Sequence, residues 1–133
     1  MASPDQNRAD GNSTDQVGTE PFYSLARSAG GFVFISALGP VNEQMEIVGD
    51  TIEEQTRACM ETMGRILENE GVTFDDLVCV DVFLTDLEER DAFNAVYASF
   101  LGKRKPARRL YGAGSLFKGI KVEVTGIAYR ESE

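Results

Sequence analysis

The sequence contains no histidine. That absence removes Ser-His and Cys-His nucleophilic sites, His-ligated zinc and imidazole acid–base chemistry. Two cysteines, Cys59 and Cys79, are too few for a disulfide framework or a structural zinc site, and they fit a reducing compartment. No apolar run approaches the ~20 residues of a membrane span. The first twenty residues lack the basic-then-apolar pattern of an export signal. Basic side chains are also scarce, 13 against 22 acidic ones, for a net charge of −9. Such a chain repels a phosphate backbone at long range, so nucleic acid is a poor partner. The expectation is a cytoplasmic protein with no membrane partner. Its acid–base chemistry would come from carboxylates, tyrosine, lysine, backbone groups or water.

The length of 133 residues, 42% hydrophobic and 26% charged, fits one globular domain. Residues 1–19 are polar, with almost no large apolar side chain, and cannot offset their ordering entropy by burial. They read as a tail, and residues 20–133 as a single domain. From Phe22 to Leu38 two strands are predicted around Gly30-Gly31, because paired glycines supply the positive φ of a tight hairpin. The second of them, Phe32-Val33-Phe34-Ile35-Ser36, is apolar on both faces, which predicts cover on both.

Asp50-x-x-Glu53 reads as a capping box opening a long helix. Its apolar stripe is Ile52, Thr56, Cys59, Met63, Ile66 and Leu67, and Gly71 is the expected C′ residue. Val78, Val80, Val82 and Leu84 alternate with Cys79, Asp81 and Phe83, the pattern of a half-buried strand. Asp86-x-x-Glu89 opens a second helix with the stripe Phe93, Val96, Tyr97, Phe100 and Leu101. Strands follow at Ala107–Tyr111 and about Ile120–Tyr129. The order is β-β-α-β-α-β-β, an α+β fold with two helices on one face of a mixed sheet. Phe34, Phe83 and Ile127 fall on the other face, which predicts burial against further copies of the chain.

Arg108 stands at the start of a strand, where a guanidinium can grip a carboxylate with two parallel hydrogen bonds. Glu123 lies opposite the aliphatic row of the last strand. If the two strands are neighbours, both groups converge on the uncovered face, either as a binding site or as a structural salt bridge. The five basic residues among positions 103–109 form the positive cluster of the chain, read as a solvated loop or an anion site. Gly112-Ala113-Gly114 begins like a dinucleotide loop, but Phe117 replaces the third glycine, so a wide turn explains it. Ser36, Asn94 and Tyr23 are polar candidates that carry no function alone.

Together these segments resemble the Rid family, also called YjgF-like or L-PSP-like, of enamine/imine deaminases. The resemblance runs from about Pro21 to Arg130 and rests on Gly71-Val72-Thr73-Phe74-Asp75-Asp76-Leu77-Val78, Phe83-Leu84-Thr85-Asp86-Leu87 and Phe93-Asn94-Ala95-Val96-Tyr97. Lys105-Pro106-Ala107-Arg108 and Val122-Glu123-Val124 complete it. It implies a chorismate-mutase-like fold in a homotrimer whose sheets face a central core, with clefts between subunits. It implies no metal or cofactor. The implied reaction hydrolyses 2-enamine or 2-imine acids of the 2-aminoacrylate type to 2-oxo acids and ammonia, a task of metabolite damage control.

By position, Arg108 matches the family's carboxylate-binding arginine and Glu123 the glutamate that positions or activates water. Asn94 and Ser36 match polar residues near the pocket. Either Phe22 or Tyr23 matches the family tyrosine, since this chain is one residue longer before Ser36. Departures stand at Ala37 and Leu38, where the family has Gly-Gln, at Arg109, where a small residue is common, and at Leu110, often cysteine. Alternation places Leu110 on the face of Arg108, which predicts a more apolar, narrower substrate pocket. Two other readings are a 2-oxo acid binding or regulatory trimer and an endoribonuclease or translation inhibitor.

Overall fold

The computed structural model describes residues 22–131, so the polar segment read as a tail, residues 1–19, lies outside the described residues. Seven main elements follow in order: β1 Ala26–Ala29, β2 Phe32–Leu38, α1 Ile52–Asn69, β3 Leu77–Leu84, α2 Arg90–Phe100, β4 Ala107–Gly112 and β5 Val122–Tyr129. This is the predicted α+β order. The β1–β2 hairpin turns on Gly30 and Gly31, with φ of 58° and 89°. The sheet order is β1-β2-β5-β3-β4, antiparallel except for the parallel β3–β4 pair.

The cap of α1 lies one residue later than the sequence pattern indicates. Thr51 is the N-cap and accepts from the Glu54 backbone N–H at 3.1 Å. The Glu54 carboxylate accepts in return from the N–H groups of Asp50, at 2.8 Å, and Thr51, at 3.3 Å. Those hydrogen bonds hold the Glu54 carboxyl below its ordinary range. The second box shifts further. Asp86 caps a 3₁₀ turn over Leu87–Glu89, and α2 begins only at Arg90 and ends at Phe100. The α1 stripe Ile52, Thr56, Cys59, Met63, Ile66 and Leu67 and the α2 residues Phe93, Val96 and Tyr97 are buried, while Phe100 and Leu101, the latter one residue past the end of α2, are partly buried against the core.

The helices meet the sheet side made by Val33, Ile35, Leu38, Val80, Val82, Leu84, Val122, Val124 and Ala128, all of them core residues. Val78 does not share that row. A register shift between Leu77 and Cys79 turns Leu77 inward and leaves Val78 exposed. The opposite side carries Phe32, Phe34, Cys79, Asp81, Phe83, Arg109, Tyr111, Glu123, Thr125, Ile127 and Tyr129. In the single protomer the predicted cover of β2 on both faces is therefore half realised, since Phe32 and Phe34 stay open to solvent.

Candidate functional site

Arg108 lies on β4, an edge strand, opposite Val80 of β3 and therefore on the helix side of the sheet. The second helix holds it. Arg108 Nη1 donates to Asn94 Oδ1 at 2.8 Å, and its guanidinium carbon lies 5.0 Å from the Tyr97 ring centre and 5.7 Å from that of Phe93. The two rings are themselves stacked, 5.3 Å apart and 23° from parallel. This is a guanidinium over aromatic faces, with one planar hydrogen bond setting its tilt. Burial raises the Tyr97 hydroxyl pKa, and the neighbouring Arg108 charge opposes that rise. Among the described residues the salt bridges are Arg109–Asp81 and Arg130–Glu70, and neither engages Arg108.

Glu123 is on the other side of the sheet. Its strand partner is Phe83, whose ring stacks on Tyr111 at 5.3 Å. Partial burial pushes the Glu123 carboxyl above its ordinary pKa. The expected convergence of Arg108 and Glu123 on the uncovered face therefore does not occur within one protomer. Two facts of topology prevent it: β3 lies between β4 and β5, and Arg108 projects toward the helices while Glu123 projects away from them. The structural salt bridge of this region belongs instead to Arg109, whose Nε donates to Asp81 at 2.8 Å on the uncovered side.

The other sequence candidates separate in the same way. Ser36 sits in a bulge, where Ser36 and Ala37 together oppose Thr125, and the Thr125 hydroxyl donates to the Ile35 carbonyl. The Ser36 hydroxyl donates to the Ser24 carbonyl at 2.7 Å and its backbone N–H to Leu25 at 2.9 Å, which ties the incoming chain to β2. Phe22 and Tyr23 lie in that incoming segment and are both exposed. Leu38 is buried in the core, so a leucine there fills the interior rather than a pocket. Leu110 is half-buried on the same side as Arg108.

The basic cluster of positions 103–109 is not one surface. Lys105 Nζ donates to the Gly102 carbonyl and the Arg104 backbone to Asp75, while Arg108 and Arg109 point to opposite sides of β4. A groove of about 470 Å³ lined by Phe32, Leu77, Val78, Tyr129, Arg104 and Lys105 lies away from both Arg108 and Glu123. Two contacts were not legible in the sequence: the Asn94–Arg108 bond and the packing of Leu87 on Gly112, described below. Both depend on how α2 and the turn before it settle on an edge strand.

The family model for Endoribonuclease L-PSP matches residues 14–130. A RutC family protein of Pyrococcus horikoshii is 38% identical over 110 residues, covering 82% of this chain and 87% of that protein. The chloroplastic Reactive Intermediate Deaminase A of Arabidopsis thaliana is 33% identical over 107 residues, covering 80% of this chain and 57% of that protein. The structure of E. coli TdcF with bound serine superposes with a TM-score of 0.77 at 30% identity, covering 86% of this chain and 92% of that one. The family-model match spans the whole sheet, including the Arg108 strand and the Glu123 strand. The chain belongs to the Rid/YjgF-like family, a family with RidA-type enamine/imine deaminase activity.

Proposed function

We propose that the protein hydrolyses 2-enamine and 2-imine acids to 2-oxo acids and ammonia, in clefts formed between neighbouring copies of a homotrimer. The observation that carries this reading is Arg108, oriented by Asn94 and the Tyr97 face and engaged by no carboxylate among the described residues. A guanidinium so held is ready for a planar anion. The serine bound by TdcF is an amino acid with such a carboxylate, and the likeness supports the same recognition here.

Glu123 faces away from Arg108 within one chain, so the pair works together only across an interface, Arg108 from one copy and Glu123 from the next. The uncovered face supports this. It presents Phe32, Phe34, Tyr111 and Tyr129, each 38–45% exposed, on the side where Glu123 projects. In the cleft, protonation of the enamine at C3 by solvent gives the iminium ion. Water then adds to C2, passing a proton to the Glu123 carboxylate; Glu123 returns that proton to the nitrogen, and the carbinolamine expels ammonia as its hydroxyl proton goes to solvent, leaving the 2-oxo acid. The partial burial of Glu123 suits it to this exchange, because a raised pKa makes its carboxylate a better base.

The test is release of 2-oxo acid and ammonia from freshly generated 2-aminoacrylate and 2-iminobutyrate, with semicarbazide trapping the free imine. The wild type is expected to accelerate release, and Arg108→Ala to lose about 10²–10³-fold in kcat/KM by leaving the substrate carboxylate unpaired. Saturable binding of 2-oxo acids with no acceleration would replace this reading with that of a binding protein.

A further inference from the structure

One row of β4 side chains extends the Arg108 site. Arg108, Leu110 and Gly112 alternate onto the same side of the strand, opposite Val80, Val82 and Leu84 of β3. The position of Gly112 is occupied from above by Leu87. A Cβ at Gly112 would meet Leu87 Cδ1 at 3.1 Å and Cγ at 3.2 Å, so the glycine allows this leucine to lie down on the strand. Leu87 is 52% exposed even so, and Leu110 is half-buried against the core. Arg108 and Leu110 are two residues apart along an extended strand, about 7 Å. That is the span of a short aliphatic acid. Beyond the guanidinium the row offers only hydrocarbon, from Leu110 and then Leu87.

We infer that Leu110 and Leu87 form an aliphatic wall that receives the C2 substituent of the substrate and selects imino acids with hydrocarbon side chains over polar ones. The inference rests on the proposed carboxylate anchor at Arg108. A carboxylate held there directs its substituent along the row, where each buried methylene contributes to binding and a carboxamide finds no partner. A cationic alternative is Arg90, exposed at the start of α2, one turn before Asn94. A wall dominated by Arg90 would favour acidic side chains instead.

Imines generated in situ by amino-acid oxidases from alanine, 2-aminobutyrate, norvaline, leucine, asparagine and glutamate separate these cases. In the wild type kcat/KM is expected to rise about fourfold per methylene from alanine to norvaline. The leucine imine is expected to exceed its near-isostere from asparagine by tenfold or more. Leu110→Asn lowers that leucine-to-asparagine ratio about tenfold, and Leu87→Ala lowers it about threefold. Leu87 is exposed, so its variant tests the wall without disturbing the core, and melting temperatures check both. A ratio that neither variant moves, or a wild-type preference for the asparagine or glutamate imine, overturns the inference while leaving the deaminase reading intact. If the wild type hydrolyses no imine, the deaminase reading fails, and calorimetry with 4-methyl-2-oxopentanoate against 2-oxosuccinamate still tests the wall. Preferential binding of the first, lost in Leu110→Asn, supports it; equal or absent binding overturns it.

Discussion

The two faces of the sheet are built from the same strands and have opposite fates. On the helix side Val33, Val80, Val82, Leu84, Val122, Val124 and Ala128 have no measurable exposure. On the other side Phe34 is 45% exposed and Tyr111 44%. A period-2 alternation along β2, β3 and β5 writes both faces at once. The covered face holds only hydrocarbon along most of its length. The bare face mixes aromatic rings with Asp81, Arg109, Glu123 and Thr125. The first is a fold's interior, and the second is the face the proposed trimer would bury. The two residues of the proposed site divide between these faces: Arg108 stands at the edge of the covered side, and Glu123 stands on the bare one.

The largest effects should follow from breaking this contrast directly. Phe34→Asp puts a charge on the bare face. It is expected to abolish the proposed oligomer in sedimentation and reduce imine hydrolysis to background, while the protomer keeps its circular dichroism spectrum. Leu84→Ala on the covered side is expected to do the reverse. It costs about 2–5 kcal/mol of stability through the cavity it leaves, read as a lower melting temperature, while the oligomer persists below that temperature. A variant pair that exchanged these outcomes would place the interior and the interface on the wrong sides.

A smaller effect concerns pH. Burial raises the folded pKa of Glu123, so its carboxylate form is lost at higher pH than for an ordinary glutamate. The acid limb of kcat/KM is expected above about pH 4.3, the unperturbed value, and Glu123→Gln is expected to remove it along with most of the rate. The same shift has a stability sign. Between the unfolded and folded pKa values the folded state binds more protons, so this group's contribution falls as pH rises through that interval. A limb at or below the ordinary value would remove Glu123 from the role of base.

Much of this architecture was legible in the residue pattern. Alternation in β5 and from Val80 onward in β3, the α1 stripe, the Phe93, Val96 and Tyr97 part of the α2 stripe, and Gly30-Gly31 all act locally, through side-chain direction and backbone freedom, and the structure matches the sequence pattern at each. The caps were legible only to within a few residues, because Asp50 and Thr51 can both serve as N-cap and a 3₁₀ turn can intervene after Asp86. The lateral order of strands was not legible. Alternation assigns residues to the two sides of a strand, but says nothing of which strand lies beside which. That is why Arg108 and Glu123 were expected to converge, when β3 separates their strands and the parallel β3–β4 register turns Arg108 toward α2. The bulges at Ser36-Ala37 and Val78 are not legible for the same reason, since each is a property of a pair of strands. Arg109 was conspicuous in the sequence, but its partner Asp81 emerges only from that parallel register.

The central claim is that one active cleft takes Arg108 from one copy and Glu123 from its neighbour. Subunit complementation tests it most directly. Arg108→Ala and Glu123→Gln, each inactive alone, are denatured, mixed in equal amounts and refolded together, and imine hydrolysis is compared with each variant refolded by itself. The account predicts recovery to about a quarter of the wild-type rate, the fraction of interfaces that pair an intact Arg108 with an intact Glu123 by chance. Mixed oligomers that form but recover no activity would contradict it.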